Sequence, residues 1–228
     1  MRKPSSPDFD PVEDAPHHMG QPMPFWFVAQ ALIEIEECSG KNSQTYVKEI
    51  IANVFRAAIA VNAEELPALF YFFIVKLAPE YEALETGVGH ELVLKSVAKA
   101  CGKSPKQIRE QFHKEGDLGV VVAVGKKSQN TIGNFFGAVT KVKKTQGLTF
   151  SHVFNSFTKI ANMSGNSSMQ ERENTIVRML QDGDKDEAKY IVRWLQKNLK
   201  TGAAEKTIIS ALARAVCYTP PDKVGVKK

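Results

Sequence analysis

The amino-acid sequence predicts an all-α, multi-helix fold in which glycine turns connect successive helices. Apolar residues recur at three- and four-residue intervals along most of the 228 positions, which is the spacing of amphipathic helices. Residues 120–124 alternate like a short strand, but they fit a helical turn equally well. The hydrophobic content of 43% and the charged content of 24% are typical of a globular protein.

Five helices are predicted before residue 120. Pro24 suits the start of a helix, and apolar residues follow it with helical spacing as far as Ile35. Further amphipathic runs cover residues 44–60, 63–77, 90–101 and 104–115.

Three more helices are predicted in the C-terminal part, where the apolar periods are strong. They lie within residues 150–161, 188–199 and 204–216. Pro220 and Pro221 end the last of these helices, because proline cannot continue a helical hydrogen-bond pattern.

Composition divides the chain into three parts. Five prolines predict a flexible N-terminal arm over residues 1–22. The helical domain covers residues 23–219, with a loop at about 125–147 that is rich in lysine, glycine and polar residues. Residues 220–228 look like the start of a linker, so we expect a further domain after them.

Basic residues are concentrated in one part of the sequence. Residues 1–84 contain six Lys and Arg against twelve Asp and Glu, a net charge of −6. Residues 85–228 contain twenty-four against thirteen, a net charge of +11. Such segregation favours a nucleic acid or another anionic surface as the partner.

The cysteines and the apolar runs indicate an intracellular protein. Cys38, Cys101 and Cys217 are odd in number and far apart, so we expect reduced, buried thiols rather than disulfides or a zinc site. The richest apolar run, residues 70–75, is far shorter than the ~20 residues of a membrane helix. We therefore expect no membrane partner.

Three segments end one helical pattern, turn on glycine and start another helix behind small polar residues. They are residues 85–90, 163–168 and 199–205. The first N–H groups of a helix are free and carry partial positive charge, so each turn is suited to bind a phosphate. One such glycine would simply end a helix, but three turns near lysines indicate a surface that binds a polyanion.

No complete catalytic motif is present. Residues 101–104 contain the Gly-Lys-Ser of a P-loop, but Val97 occupies the position of its first glycine. The five histidines lack metal-ligand spacing, and the Gly-Val-Gly at 87–89 lacks the third glycine of a dinucleotide site. Residues 114–117 contain the letters of the Lys-x-Asp-Gly nucleotidyl-transfer motif in the wrong order. We therefore expect a non-catalytic segment that binds no cofactor and no metal.

Taken in order, the glycine turns and their neighbours resemble the N-terminal DNA-binding domain of ATP-dependent DNA ligases, most closely the replicative type I enzymes of eukaryotes. The order and spacing hold over about residues 9–221, and residues 200–205 match the family's basic-x-Gly-x-Ala-Glu turn. The other matching stretches are residues 84–89 with 94–95, 114–119, 148–154 and 160–165.

The resemblance implies a helical module whose glycine turns form a DNA-binding face. Such a module grips nicked double-stranded DNA through the minor groove, without sequence specificity, while adenylation and OB-fold domains close around the nick. It further implies that the full-length enzyme uses ATP and Mg²⁺ and acts in DNA replication, repair and recombination in the nucleus. The segment itself, which we expect to be a monomer, would hold DNA without sealing it.

The DNA contacts implied by the resemblance fall on the three turns. They are Gly87, Gly89, Gly165, Ser167, Ser168, Arg172, Lys197, Asn198, Lys200, Thr201, Gly202 and Lys206. Typical relatives have Gly-Arg where this chain has Lys197 and Asn198, so we expect Lys197 to replace the arginine's charge from the neighbouring position. The alternatives are simple helix capping for the glycines and a solvated face for the lysines.

A second partner is suggested by the predicted loop. Gln129, Ile132, Phe135 and Phe136 fit the pattern Gln-x-x-aliphatic-x-x-aromatic-aromatic of peptides that bind the sliding clamp of replication. Paired aromatic side chains of this kind fill a hydrophobic pocket on their partner. The alternative is that Phe135 and Phe136 pack on the domain's own core.

The competing function is a helical protein-interaction scaffold whose basic face is incidental. A scaffold of this kind would show a recurring helical repeat, and we find none in the sequence. Binding to nicked and intact duplex DNA separates the two functions.

Overall fold

The computed structural model describes residues 2–38, 43–135, 147–165 and 167–220. These ranges contain helices and turns but no β-strand, so the all-α prediction is confirmed. Two 3₁₀ turns occupy Ala63–Glu65 and Glu80–Glu82. The α-helices are α1 (Phe25–Glu37), α2 (Ser43–Val61), α3 (Leu66–Phe73), α4 (His90–Cys101), α5 (Pro105–Glu115), α6 (Leu118–Phe135), α7 (Phe150–Asn162), α8 (Ser168–Asp182), α9 (Lys185–Leu195) and α10 (Glu205–Tyr218).

Helix α6 differs from the loop predicted from about residue 125, because the helix continues to Phe135. A Cβ atom on Gly125 would lie 2.7 Å from the Cys101 sulfur, so glycine allows α6 to approach α4 closely. This packing offsets the low helix propensity of glycine. Residues 136–146 of the predicted loop lie outside the described residues.

Helix α8 was not among the periodic runs found in the sequence. Its buried side chains all lie in its C-terminal half: Ile176, Val177, Met179 and Leu180. The first half is polar and exposed apart from a few half-buried positions, so the apolar period is too short to recognise.

Residues 2–22, which we call the N-terminal strap, pack against the domain rather than forming the predicted flexible arm. Phe9 is 3% exposed and stacks on Phe27 with 6.2 Å between ring centroids. Asn53 donates a hydrogen bond to the Pro4 carbonyl at 2.8 Å, and Arg56 donates one to the Phe9 carbonyl at 3.2 Å. The prolines restrict the backbone here, while the buried aromatic ring fixes the strap.

Trp194 of α9 holds three helices together in the aromatic part of the core. Its ring stacks on Phe157 of α7 at 4.1 Å and on Phe72 of α3 at 6.2 Å. Its indole N–H donates to the Phe72 carbonyl at 3.0 Å, so the polar atom is also satisfied.

The entries to α1 and α7 pair with each other in an antiparallel bridge between Pro24 and Thr149. The Phe25 N–H donates to the Leu148 carbonyl at 2.7 Å, and the Phe150 N–H donates to the Met23 carbonyl at 2.7 Å. These two bonds satisfy N–H groups that the start of each helix would otherwise leave free.

Arg193 of α9 is the centre of a buried ion-pair network and is 2% exposed. Its guanidinium binds both carboxylate oxygens of Glu36 in α1, at 2.8 and 2.9 Å. It also donates two hydrogen bonds, at 3.0 and 2.8 Å, to Asp117 at the start of α6. Lys200 reaches the same Asp117 oxygen at 2.9 Å, so the network extends to the glycine turn after α9.

The network shifts the pKa of Glu36, Asp117 and Arg193 towards the charged form of each. The hydrogen bond from Arg193 lowers the pKa of Glu36 to about 2, against a smaller opposing effect of burial. Burial raises the pKa of Asp117, but the hydrogen bonds from Arg193 and Lys200 lower it below its ordinary value. All of these groups are therefore charged at neutral pH.

Replacing Arg193 with methionine should lower the free energy of unfolding by about 3 kcal/mol, because it leaves two carboxylates without their main partner in a partly dry site. Urea unfolding of both proteins at pH 7 measures the difference. Arg178→Met is the matched control, since Arg178 is exposed on α8 and forms no ion pair in the described part of the chain. Equal losses in the two variants would contradict this role for Arg193.

The three cysteines are free thiols, and they differ in exposure. Cys101 is buried and Cys38 half-buried, whereas Cys217 is exposed on α10, contrary to the expectation of buried thiols. Burial raises the pKa of the Cys101 thiol, which keeps it protonated at neutral pH.

Candidate nucleic-acid interface

The three glycine turns lie next to one another on one surface. We call residues 85–89 the first turn, 163–168 the second turn and 197–204 the third turn; Asn166 lies outside the described residues. The three turns precede α4, α8 and α10 respectively. Two side chains link them.

Arg172 joins the first and second turns. Its Nη2 donates a hydrogen bond to the Met163 carbonyl at 2.7 Å. Its Nη1 lies against Gly87, where an added Cβ atom would be 3.2 Å away. Gly87 also has a left-handed φ of +60°, so both its backbone and its neighbour favour glycine.

Lys197 joins the third turn to the first. Its Nζ forms an ion pair with Glu85 at 2.9 Å. A second contact runs beside it, since Gln196 Nε2 lies 3.1 Å from His90 Nδ1 at the start of α4. The first turn therefore lies between the other two, and the three form a continuous surface.

The third turn closes the C-terminus of α9 in a Schellman arrangement. The N–H groups of Lys197 and Asn198 donate to the carbonyls of Trp194 and Arg193, each at 2.9 Å. Lys197 has a φ of +56°, which is the left-handed position usually taken by glycine. The left-handed backbone therefore explains the glycine that typical relatives have here. A lysine in this conformation lowers the free energy of unfolding by roughly 1–2 kcal/mol.

The two departures from the family sequence make contacts of their own. Lys197 gains the ion pair with Glu85. Asn198 accepts a hydrogen bond from the Lys200 N–H at 3.2 Å, so its side chain holds the turn instead of supplying charge. Replacement of the arginine's charge by Lys197 stays a prediction.

The helices that follow the three turns have no side-chain cap. No side chain of the N-cap residues Gly89, Ser167 and Ala204 accepts a hydrogen bond from the first turns of α4, α8 and α10, although the Gly89 and Ala204 carbonyls accept the N–H groups of the third residues of α4 and α10 at 3.1 and 2.8 Å. Among the described residues, no acceptor is found for the N–H groups of the first two residues of α4 and α10, or for those of Met169 and Gln170 in α8, so these groups are open to a ligand. The partial positive charge of each helix N-terminus lies at the same place.

Other helices satisfy their N-termini within the protein. Ser104, Thr149 and Asp184 cap α5, α7 and α9 with side-chain oxygens. The first N–H of α1 donates to Leu148, and α3 continues directly from a 3₁₀ turn. Apart from α2, whose N-cap lies outside the described residues, open helix ends are thus concentrated at the glycine turns.

Acidic side chains also lie in the first turns of α4, α8 and α10, and each of them has a partner. These bonds engage carboxylates that would otherwise oppose an anion at the helix ends. The pairs are Glu91 with Arg109 at 2.9 Å, Glu171 with the Ser167 hydroxyl at 2.8 Å, and Glu205 with Lys76 at 3.2 Å.

The structure brings the predicted DNA-contact residues to the three turns and to the helix starts beside them. Lys206 is exposed in the first turn of α10 and has no carboxylate within 4 Å in the described ranges. Lys200 keeps a 43% exposed side chain although it pairs with Asp117. The other members are Gly87, Gly89, Gly165, Ser167, Ser168, Arg172, Lys197, Asn198, Thr201 and Gly202.

A basic groove beside the second turn was missed in the sequence. It has a volume of about 480 Å³ and lies between α7 and α8. Lys159 and Arg178 line it, together with Met163 of the second turn. Both basic residues lie on helices with no unusual motif, so only the packing of α7 against α8 brings them together.

The sliding-clamp segment stays a prediction. Gln129, Ile132 and Phe135 lie on the last turns of α6, where the backbone is helical. Their side chains and the whole of Phe136 lie outside the described residues.

Two further findings concern other kinds of site. The described residues contain no group of three His, Cys, Asp or Glu side chains placed to hold a metal ion. None of the helices in the described ranges combines the length and apolarity needed to span a bilayer.

Comparison with known proteins matches residues 24–213 to the family described as "DNA ligase N terminus". DNA ligase 1 of Dictyostelium discoideum is 31% identical over 213 residues, which cover 93% of this chain and 17% of that protein. DNA ligase 1 of Schizosaccharomyces pombe is 34% identical over 200 residues, covering 88% and 24%. DNA ligase 2 of Thermofilum pendens is 34% identical over 197 residues, covering 85% and 31%. The chain thus spans less than a third of each relative's length.

Giving α10 a side-chain cap should stabilise the domain. Ala204 is exposed with an extended backbone, so Ala204→Ser should raise the free energy of unfolding by about 1 kcal/mol. The matched control is Ser104→Ala, which removes the cap of α5 and should lower the free energy by about 1 kcal/mol. Urea unfolding measures both, and an unchanged Ala204→Ser protein would show that the α10 N-terminus is already satisfied.

Proposed function

The chain belongs to the N-terminal domain family of ATP-dependent DNA ligases, and we propose that its three-turn surface grips nicked duplex DNA through phosphates of the minor groove. The observation that carries this proposal is the concentration of three uncapped helix N-termini on one continuous surface. Phosphate oxygens would accept the hydrogen bonds that these N–H groups do not make within the protein.

The glycines give the DNA backbone close access to those N–H groups. At Gly89, Gly165 and Gly202 nothing lies within 4 Å of the position that a Cβ atom would take, so these turns have open space in front of them. Lys200 and Lys206 would add charge at the third turn. Ser168 would add a hydroxyl donor at the second turn, and Ser167 would do so by turning its hydroxyl from Glu171 to the phosphate. Arg172 lies between the first and second turns and would contact a phosphate that bridges them.

Sequence-independent binding follows from this chemistry. Backbone N–H groups, hydroxyls and lysines contact phosphates, which are the same in every sequence. A ligase requires this property, since nicks arise at any position in a genome. The basic groove with Lys159 and Arg178 would lengthen the contact beyond the second turn.

The sealing reaction is proposed for the full-length enzyme and not for this segment. The sequence contains no Lys-x-Asp-Gly motif. We propose that the adenylation and OB-fold domains of the whole ligase use ATP and Mg²⁺ to join the DNA ends in the nucleus, during replication, repair and recombination. The present domain would act as a monomer that keeps the nick in place.

The sliding clamp is proposed as a second partner through residues 129–136. The observation that favours it is the helical backbone of Gln129, Ile132 and Phe135, because positions three residues apart lie on one side of a helix. The scaffold alternative keeps the same helices but requires no DNA. Weak binding to nicked and intact duplex alike would favour the scaffold.

Removing Lys206 should weaken binding to DNA of any sequence by the same factor. In Lys206→Ala, the slope of log affinity against log salt should decrease in magnitude by about 0.9, the value for one neutralised phosphate. Fluorescence anisotropy on two unrelated nicked duplexes measures both effects. Lys185→Ala is the matched control, because Lys185 is exposed at the opposite end of α9 from the third turn. A salt slope near zero for the unmodified chain would exclude the proposed grip.

The Ala204→Ser variant should lose affinity for nicked DNA while it gains stability. Its hydroxyl would occupy the N–H groups of α10 that we assign to a phosphate. The same binding assay measures this change, and we expect a loss of about tenfold, equivalent to one charge-assisted hydrogen bond. Unchanged affinity in a stabilised variant would remove the α10 N-terminus from the binding surface.

A further inference from the structure

A small cavity lies under the N-terminal strap, away from the three turns. Its volume is about 130 Å³, and it is lined by residues of the strap, α2 and α10. Ser6 lines it from the strap, Arg56 from α2 and Arg214 from α10. Two guanidinium groups and a serine therefore line one partly open cavity.

Arg56 is a half-buried cation with neutral partners. Its Nε donates to the Thr219 hydroxyl at 3.0 Å, and its Nη1 donates to the Asn53 side chain at 2.8 Å and to a strap carbonyl. No carboxylate lies within 4 Å of it among the described residues, and its Nη2 makes no hydrogen bond there. Burial lowers the pKa of Arg56, and the more distant charge of Asp10 opposes this effect without cancelling it.

Arg214 contributes a second positive charge, which is partly balanced. Its Nη2 pairs with Glu49 at 2.9 Å. Its guanidinium lies 5.2 Å from the centre of the Tyr218 ring, and that of Arg56 lies 6.0 Å from the same ring. The cavity thus has two cations and one carboxylate in its wall, an excess of one positive charge.

Ser6 is the serine of the strap whose surroundings suit an added anion. It is half-buried, and the exposed Pro7 follows it directly. Ser5 also lines the cavity, but it is exposed and its N–H is bonded to the Glu34 carboxylate at 2.8 Å. An anion on Ser5 would lie close to that carboxylate, whereas one on Ser6 would face the two arginines.

We propose that Ser6 is a phosphorylation site whose phosphate binds Arg56 and Arg214 and fastens the strap to α2 and α10. A phosphoserine carries a charge of about −1.5 to −2 at pH 7 and three strong acceptor oxygens. It therefore supplies the anion that the cavity wall lacks. Arg56 also holds Thr219 after α10, so the phosphate stabilises the end of the domain as well as its beginning.

The modification requires a proline-directed serine kinase and ATP. The Ser6 oxygen attacks the γ-phosphorus of ATP, the new O–P bond forms as the bond to ADP breaks, and the hydroxyl proton passes to a base of the kinase. Because Ser6 is half-buried, the strap detaches for this reaction and binds again afterwards. The site is separate from the three-turn surface and does not depend on DNA binding.

Site-specific incorporation of phosphoserine at position 6 of the 228-residue chain tests the binding of the phosphate. We expect the Tm to rise by about 3 °C, and amide exchange in residues 5–10 to slow at least tenfold. Phosphoserine at position 5 is the matched control and should give no rise. Equal rises at the two positions, or a fall in Tm at position 6, would overturn the proposal.

The arginines are tested in the same assay with Arg56→Gln and Arg214→Gln. Each variant should lose most of the rise in Tm that phosphoserine at position 6 produces. Arg214→Gln serves if Arg56→Gln fails to fold, because the Arg214 side chain is 33% exposed. A rise that persists in the folded variants would refute the assignment of these partners.

Access to Ser6 is tested by treating the unmodified chain with a proline-directed kinase and ATP. Mass spectrometry should find phosphate on Ser6, and Ser6→Ala should lose that signal. Phosphate confined to the other two proline-directed positions, Ser104 and Thr219, would overturn the assignment of the site.

Discussion

The buried ion pair between Arg193 and Asp117 fixes α9 against the start of α6, next to the third turn of the proposed binding surface. A cation that is 2% exposed has few arrangements in which its charge is satisfied, so α1, α6 and α9 are held in one relative placement. Gly119 allows the same placement of α6 against α9, because a Cβ atom at this position would lie 2.8 Å from the Lys189 carbonyl of α9. Asp117 also pairs with Lys200 of the third turn, so one carboxylate binds both the buried Arg193 and a lysine at the surface.

Side chains that extend from one element to a neighbouring turn hold the three turns together. Lys197 connects the end of α9 to the first turn, and Arg172 connects the first turn to the second. Each crossing residue is long and charged, and each contacts backbone or a carboxylate near an open helix end. The proposed surface is thus preorganised, because contacts within the protein hold the N–H groups of the three helix starts in place without a phosphate.

The sequence was sufficient for most helices and for the location of the three turns, because apolar spacing and glycine are local signals. It could not show that the turns adjoin, since that depends on Arg172 and Lys197 meeting partners far away in the chain. Asp117 and Arg193 were missed as a pair for the same reason, being 76 residues apart. Five prolines suggest disorder in the strap, whereas in the structure the stacking of Phe9 on Phe27 and hydrogen bonds from Asn53 and Arg56 hold it against the domain.

The antiparallel bridge between the entries to α1 and α7 has a consequence for how the chain can diverge. Leu148 is held by the Phe25 N–H, and Phe150 by the Met23 carbonyl, so the start of α7 is located by residues more than a hundred positions earlier. The segment that precedes Leu148 need only bring the chain to this antiparallel bridge. Insertions, deletions and new recognition motifs can therefore accumulate in that connection without displacing α7, which makes it the natural place for relatives to acquire different partners.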